Sequence, residues 1–217
     1  MSSAMIDLII KATLDTLYMV GVSGLLAAMF GVPLGVMLYV TRPRQILARP
    51  ALNQALGIVT NIGRSIPFII LMVAIIPFTR MVVGTSIGTN AAIVPLTIAA
   101  IPFVARLVEG ALNEIPPGLV EAAQSMGATP GQIITKVLLP EARGGIITGL
   151  TITIVTLVSY SAMAGAVGGG GLGDLGIRYG YNRFNPTVML ITVAILVVMV
   201  QGFQSLGDYL VRKSDRK

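Results

Sequence analysis

Residues 116–143 read PPGLVEAAQSMGATPGQIITKVLLPEAR, and this polar, proline-punctuated stretch between long apolar runs decides how the chain is organised. Pro116 and Pro117 stop one helix and pre-set φ for the first turn of the next. Gly127 supplies a C-terminal stop after residues 119–126. Thr129 followed by Pro130 reads as an N-cap with proline at the first helical position, and residues 132–139 form a second segment that Pro140 ends. The prediction is two short helices joined by a rigid elbow. With its flanks the polar segment spans 108–143, about 36 residues, and carries Glu109, Glu114, Glu121 and Glu141; a connection that long usually has a task of its own. On shape alone the two helices suit the headgroup region as interfacial elements.

Outward from this loop the chain turns apolar. Of 217 residues, 54% are hydrophobic and 11% charged, with a mean hydropathy of +0.86, far from the roughly 25% charged share of a soluble domain. A bilayer core of about 30 Å needs roughly 20 apolar residues in a helix, because backbone polar groups cannot go unpaired in hydrocarbon. Five spans are expected, at about 17–40, 57–79, 86–105, 144–167 and 186–207. Arg64 falls near the start of the second, where it can snorkel to the interface; Pro95 and Pro102 fall inside the third. No linker divides the chain, so a single all-α, polytopic membrane domain is predicted, with 108–143 as its one long loop.

Charge sets the orientation. Arg42, Arg44, Arg49, Arg106, Lys136, Arg143, Arg212, Lys213, Arg216 and Lys217 fall on one side, and Lys11, Arg80, Arg178 and Arg183 on the other. Ten against four places the N-terminus outside and the long loop and C-terminus in the cytoplasm. The same topology accounts for the net charge of +6 without nucleic acid, because no aromatic residues interleave the basic ones. Acids at Asp7 and Asp15 and the lack of a basic n-region argue against a cleaved signal peptide.

Several chemistries are excluded. The chain has no cysteine and no histidine, which removes thiolate and imidazole nucleophiles, bases and metal ligands together. Gly171-Leu172-Gly173-Asp174-Leu175-Gly176 matches G-x-G-x-x-G, but it follows a membrane span and not a strand, so dinucleotide binding fails its context; a flexible or tightly turned exit from the fourth span is the better reading. Gly171–Asp174 also spells the GxGD of intramembrane aspartyl proteases, without a second facing Asp, and Gly21-Val22-Ser23-Gly24 the GxSG of rhomboids, without the histidine. No P-loop occurs, so nucleotide must bind elsewhere. Gly31-x-x-x-Gly35 and Gly145-x-x-x-Gly149 read as close helix packing, within the subunit or across a dimer.

One pattern is more specific. Glu121-Ala122-Ala123, three residues, Gly127, nine residues, then Val137-Leu138-Leu139-Pro140 closely resembles the EAA loop of ABC importer permeases, EAA-x3-G-x9-I-x-L-P, with Val137 in place of the isoleucine. The stretches NIGRSIPFIILMVAIIPFTR (61–80) and YSAMAGAVGGGGLGDLGIRYGY (160–181) are most similar to the methionine-importer permeases of bacterial inner membranes. Permeases for glycine betaine and other amino acids share a similar GGLG segment.

The resemblance implies a type I ABC importer fold in the inner membrane. It also implies a homodimer, two partner ATPase subunits that bring ATP and Mg²⁺ while this chain holds no cofactor, and an external solute-binding protein. It implies a coupling helix over 118–130, where Gly118, Glu121, Ala122, Ala123, Ser125, Met126, Gly127, Ala128, Thr129 and Pro130 would meet the ATPase. Small Ala122, Ala123 and Ala128 permit close approach. Glu121 has two readings: a carboxylate complementing the N–H groups of the first helical turn, or an interfacial contact.

Inside the fourth span Ser159, Tyr160 and Ser161 set hydroxyls into an apolar run. Tyr160, Ser161 and Met163 are therefore candidates for the translocation path or its gate, against a reading as helix–helix packing. Outer segments 83–90 and 168–185, with Arg178, Tyr179, Tyr181 and Arg183, suit either binding-protein contact or headgroup anchoring. An ion-driven secondary transporter is the rival from another class; it predicts buried acids and an inverted repeat, and no EAA loop.

Overall fold

The computed structural model of the chain describes Ser3–Ser214; Arg216 and Lys217, counted in the charge asymmetry, lie outside the described residues. Helix α1 covers Ser3–Val40, α2 Pro50–Ser65, α3 Phe68–Ala74, α4 Ile76–Val83 and α5 Thr89–Asn113. The loop holds α6, Pro117–Ser125, and α7, Pro130–Ile133; a π-helical turn, Ile134–Leu138, leads into α8, Leu139–Glu141. After it come α9, Arg143–Ala166, α10, Gly171–Leu175, a second π-helical turn, Gly176–Tyr181, and α11, Pro186–Ser214. Four helices, α1, α5, α9 and α11, are long and apolar enough to cross a membrane, and α2 with α3 passes the same test together as a bent pair, a broken span or a re-entrant loop.

Several expectations need correction. The second span is not one helix over 57–79. It begins at Pro50 and breaks by 99° between α2 and α3. Pro67 forces the residue before it out of the α region, and Ile66 is accordingly extended, with φ −84° and ψ 122°. Arg64 consequently sits in the last turn of α2, not at a membrane-facing start. Pro140, expected to end a helix, lies inside α8. It has no N–H, and its ring crowds the carbonyl four residues back; widening the preceding turn to the i→i+5 pattern, with the Leu139 N–H donating to the Ile134 carbonyl, accommodates it. Helix α1 also starts about fourteen residues before the predicted span, because Ile9 and Ala12 pack with Leu172, Leu175 and Val188 in a small second core.

Helix α5 is the centre of the packing. Gly31 and Gly35 of α1 let the two backbones touch: a Cβ at Gly35 would lie 2.6 Å from the Ala105 carbonyl oxygen, and one at Gly31 2.6 Å from Val104 Cβ. Gly145 and Gly149 of α9 meet Ala111 and Leu107 on α5 in the same way. Both glycine pairs therefore serve packing within the subunit. The glycine-rich exit of α9 is tightly turned, not loose. Gly168, Gly170 and Gly171 take positive φ, Gly165 abuts the backbone of Gly173 and Asp174, and the Leu172 N–H donates to Thr16 Oγ1 at 2.8 Å.

Helix α5 also runs past its predicted end at 105 to Asn113. The charges that seemed to end the span are neutralised in place. Glu109, 3% exposed, accepts from Arg106 Nη1 at 2.6 Å and from Arg42 Nη2 at 2.6 Å. Arg42 continues to Asn113 Oδ1 at 2.5 Å, and Arg106 Nη2 donates to the Gly57 carbonyl and to Asn61 Oδ1. This clasp joins the ends of α1 and α5 to the middle of α2, next to the α6 loop.

Candidate coupling loop and apolar groove

Helix α6 begins with Pro117 at its first position. Gly127, at φ 79°, closes it in the left-handed conformation that a side chain would strain. The Ala128 N–H donates to the Ala123 carbonyl at 3.1 Å and the Gly127 N–H to Gln124 at 2.9 Å. A capping box starts α7: Thr129 Oγ1 accepts from the Gln132 N–H while Gln132 Oε1 accepts from the Thr129 N–H at 2.9 Å. The elbow predicted from Gly127, Thr129 and Pro130 is thus held by four backbone or side-chain bonds.

Two residues seat α6 on the body. Val120 and Ala123 are buried in the core that also holds Ile115, Ile133 and Leu138. The opposite face is free: Gly118, Glu121, Ala122, Ser125, Met126 and Gly127 are exposed, as are Thr129 and Pro130, with Ala128 half-buried. Met126, 81% exposed, is the largest apolar group on this face. Because the helix starts at Pro117, Glu121 stands beyond its first turn and makes no cap bond, which removes the helix-terminus reading and leaves its carboxylate on the free face.

The α9 candidates separate. Tyr160 stacks on Phe68 of α3, with ring centroids 4.6 Å apart and planes 3° from parallel. Ser161 is buried and its hydroxyl donates to the Val158 carbonyl at 2.7 Å, so it serves the helix and not an open surface. Met163 does reach an open groove, of about 760 Å³, together with Ile69, Val158, Ser159, Leu196 and Gln201. The groove is apolar, walled by α3, α9 and α11. The sequence signal for Ile69 is Pro67, whose break swings α3 against α9; Gln201, on α11, has no local signal, because only the tertiary fold brings it to the groove. At the far end from the loop, Arg183 lies over the Tyr179 ring at 4.5 Å, Arg178 pairs with Asp174, and Tyr181 and Phe184 stand exposed.

Residues 31–216 match the family model described as the binding-protein-dependent transport system inner membrane component. The chain belongs to that family. Among its relatives is a protein of Vibrio cholerae, named a probable D-methionine transport system permease protein MetI. The two are 63% identical over 211 residues, covering 97% of this chain and 94% of the relative. The protein of the same name from Pasteurella multocida is 51% identical over 211 residues, 97% of each chain. A chain from an inward-facing crystal structure of the MetNI methionine ABC transporter superposes with a TM-score of 0.97 at 55% identity, covering 99% of both chains. The Glu121-Ala122-Ala123 part of the pattern thus falls on α6 and its Gly127 on the elbow, while Val137-Leu138-Leu139-Pro140 spans the π-helical turn and α8.

Proposed function

We propose that this chain is the non-catalytic, membrane-spanning permease subunit of an ATP-driven methionine importer of the bacterial inner membrane. In this reading two copies enclose the substrate route about a two-fold axis. Two separate ATPase subunits bind ATP and Mg²⁺, and an external solute-binding protein delivers methionine, the D-isomer included. The observation that carries the assignment is the 63% identity along nearly the whole chain to a relative named as a D-methionine permease.

The geometry supports the division of labour. The free face of α6, from Gly118 to Pro130, offers an ATPase a firm, shallow surface: small side chains, one protruding Met126 and one carboxylate, on a helix rigidly capped at its C-terminal end. With that face turned to the cytoplasm, the N-terminus lies outside, as the positive charges require. Closure of the ATPases on ATP moves α6, and the clasp of Arg42 and Arg106 on the buried Glu109 carries that movement into α1, α5 and α2. The two copies then rock between inward- and outward-open forms, a rigid-body switch driven by differential nucleotide affinity. Tyr160, held by Phe68, and Met163, in the groove, form the gate region, and the exposed Tyr181 and Phe184 suit contact with the binding protein.

Complementation tests this. A methionine auxotroph lacking its own importers should grow on D-methionine when given this chain with its ATPase and binding protein, and should fail when residues 121–130 are deleted. Growth that survives the deletion overturns the coupling role, and failure of the intact set overturns the substrate.

A further inference from the structure

Arg64 is a charged side chain that the fold leaves without a carboxylate. Arg42 and Arg106 are spent on Glu109, and Arg178 on Asp174. Arg64 is exposed and takes part in none of the ion pairs found among the described residues. Its depth is fixed by its neighbour: a Cβ on Gly63 would lie 3.0 Å from Pro102. Pro102 sits close to the middle of the 25-residue helix Thr89–Asn113. At about 1.5 Å per residue it lies roughly 16 Å from the loop end of α5 and roughly 20 Å from the other. Arg64 therefore stands level with the middle of α5, a helix long and apolar enough to cross a membrane.

A cation within a membrane-spanning bundle survives where water or an anion reaches it, since lipid cannot solvate the charge. Polar neighbours share its exposure, with Ser65 next to it and Asn61 one turn back. Arg64 occupies the last turn of α2, at the 99° break. Four residues on, Phe68 carries the Tyr160 stack, and Ile69 walls the groove with Met163. A guanidinium offers a planar fork of donors matched to a carboxylate, and it repels metal cations and basic solutes. The apolar groove, whose wall begins five residues on at Ile69, suits an uncharged side chain.

We propose that Arg64 lies on the translocation route and receives the carboxylate of the passing amino acid while the apolar groove takes its side chain. This rests on the importer reading above. In the two-fold assembly the second copy contributes its own Arg64, so the route carries positive charge from both sides. Transport would then be selective for zwitterions with apolar side chains within the membrane subunit itself.

The absence of cysteine makes the test direct, because R64C carries the chain's single thiol. The complete transporter is reconstituted in proteoliposomes with R64C, R64Q or R64K, and the R64C thiol is treated with ethylammonium or ethylsulfonate thiosulfonate reagents of equal size. Its labelling is read as the mass shift of the permease chain. Uptake by R64C and R64Q should fall about tenfold to a hundredfold, the worth of one charge-assisted bond, and R64K should keep most of it. Both reagents should react, methionine should slow the reaction, and the ammonium adduct should restore uptake while the sulfonate adduct does not. A thiol unreactive in the assembled transporter, an R64Q as active as R64K, or equal effects of the two adducts would each overturn the proposal. Wild-type vesicles that import a different amino acid would refute the methionine assignment while leaving the Arg64 pattern to be read on that substrate.

Discussion

Replacing Glu109 with Gln tests the clasp with almost no change in volume. Both carboxylate oxygens are engaged, each in a 2.6 Å ion pair, and the Glu109 side chain is 4% exposed. The substitution removes the charge that compensates two guanidinia, one of which already has a buried Nε without a partner. Breaking a buried ion pair by removing one member costs about 3–5 kcal/mol. Arg42 is 36% exposed and Arg106 24%, so water recovers part of that loss and the expected destabilisation is about 3 kcal/mol. Arg42→Ala, which leaves Arg106 to neutralise Glu109, should lose only about 1 kcal/mol. The assay is the unfolding free energy of the purified protein in mixed detergent micelles, with Arg42→Ala combined with Glu109→Gln to close a double-mutant cycle. Because the clasp ties α2 to α5 through the Gly57 carbonyl and Asn61, E109Q should also reduce transport per ATP hydrolysed. An E109Q protein within about 0.5 kcal/mol of wild type, the range of a neutral surface change, would refute the claim that the clasp holds these helices together.

Further expectations concern packing, the elbow and the free face of α6. Gly35→Ala should destabilise by about 1–3 kcal/mol, because the new methyl meets Ala105 backbone and Val108 side chain and neither is a flexible tip; the same unfolding measurement checks it. Gly127→Ala forces a Cβ into the left-handed conformation at a cost of roughly 1–2 kcal/mol, and should lower ATPase copurification more than it lowers the melting temperature. Met126→Glu should leave stability within about 0.5 kcal/mol, since the side chain is 81% exposed, yet weaken ATPase binding measured by pull-down. Tyr160→Ala removes the Phe68 stack, worth about 0.5–1.5 kcal/mol beyond area burial, and should raise substrate-independent leak measured in vesicles.

Much of this architecture was legible because membrane folding is strict: uninterrupted apolar runs must become helices, and those at 17–40, 144–167 and 186–207 did. The α6–α7 elbow was equally legible, since Gly127, Thr129 and Pro130 each act through local backbone chemistry that no distant contact overrides. The errors have physical causes of the opposite kind. Pro67 was counted as one more residue of an apolar span, although its restriction on Ile66 is local and visible, so the break, Phe68 and Ile69 were missed together. The end of α5 was set at Arg106 because charge reads as exit from the membrane. Only the tertiary meeting of Arg42 with Glu109, 67 residues apart, makes those charges compatible with a buried helix. Likewise Ser161 and Ser159 are indistinguishable by type, and only helix phase sends one into the core and the other into the groove.

The central claim is that this chain moves methionine when, and only when, a partner hydrolyses ATP. Its most direct test is uptake of labelled methionine into proteoliposomes holding the chain, its ATPase and its binding protein, with ATP or a non-hydrolysable analogue on the ATPase side and imposed ion gradients as the alternative drive. The account predicts accumulation with ATP alone, competed by methionine analogues and not by betaine. Accumulation driven by an ion gradient without ATP, or ATP-driven accumulation that methionine does not compete, would contradict it.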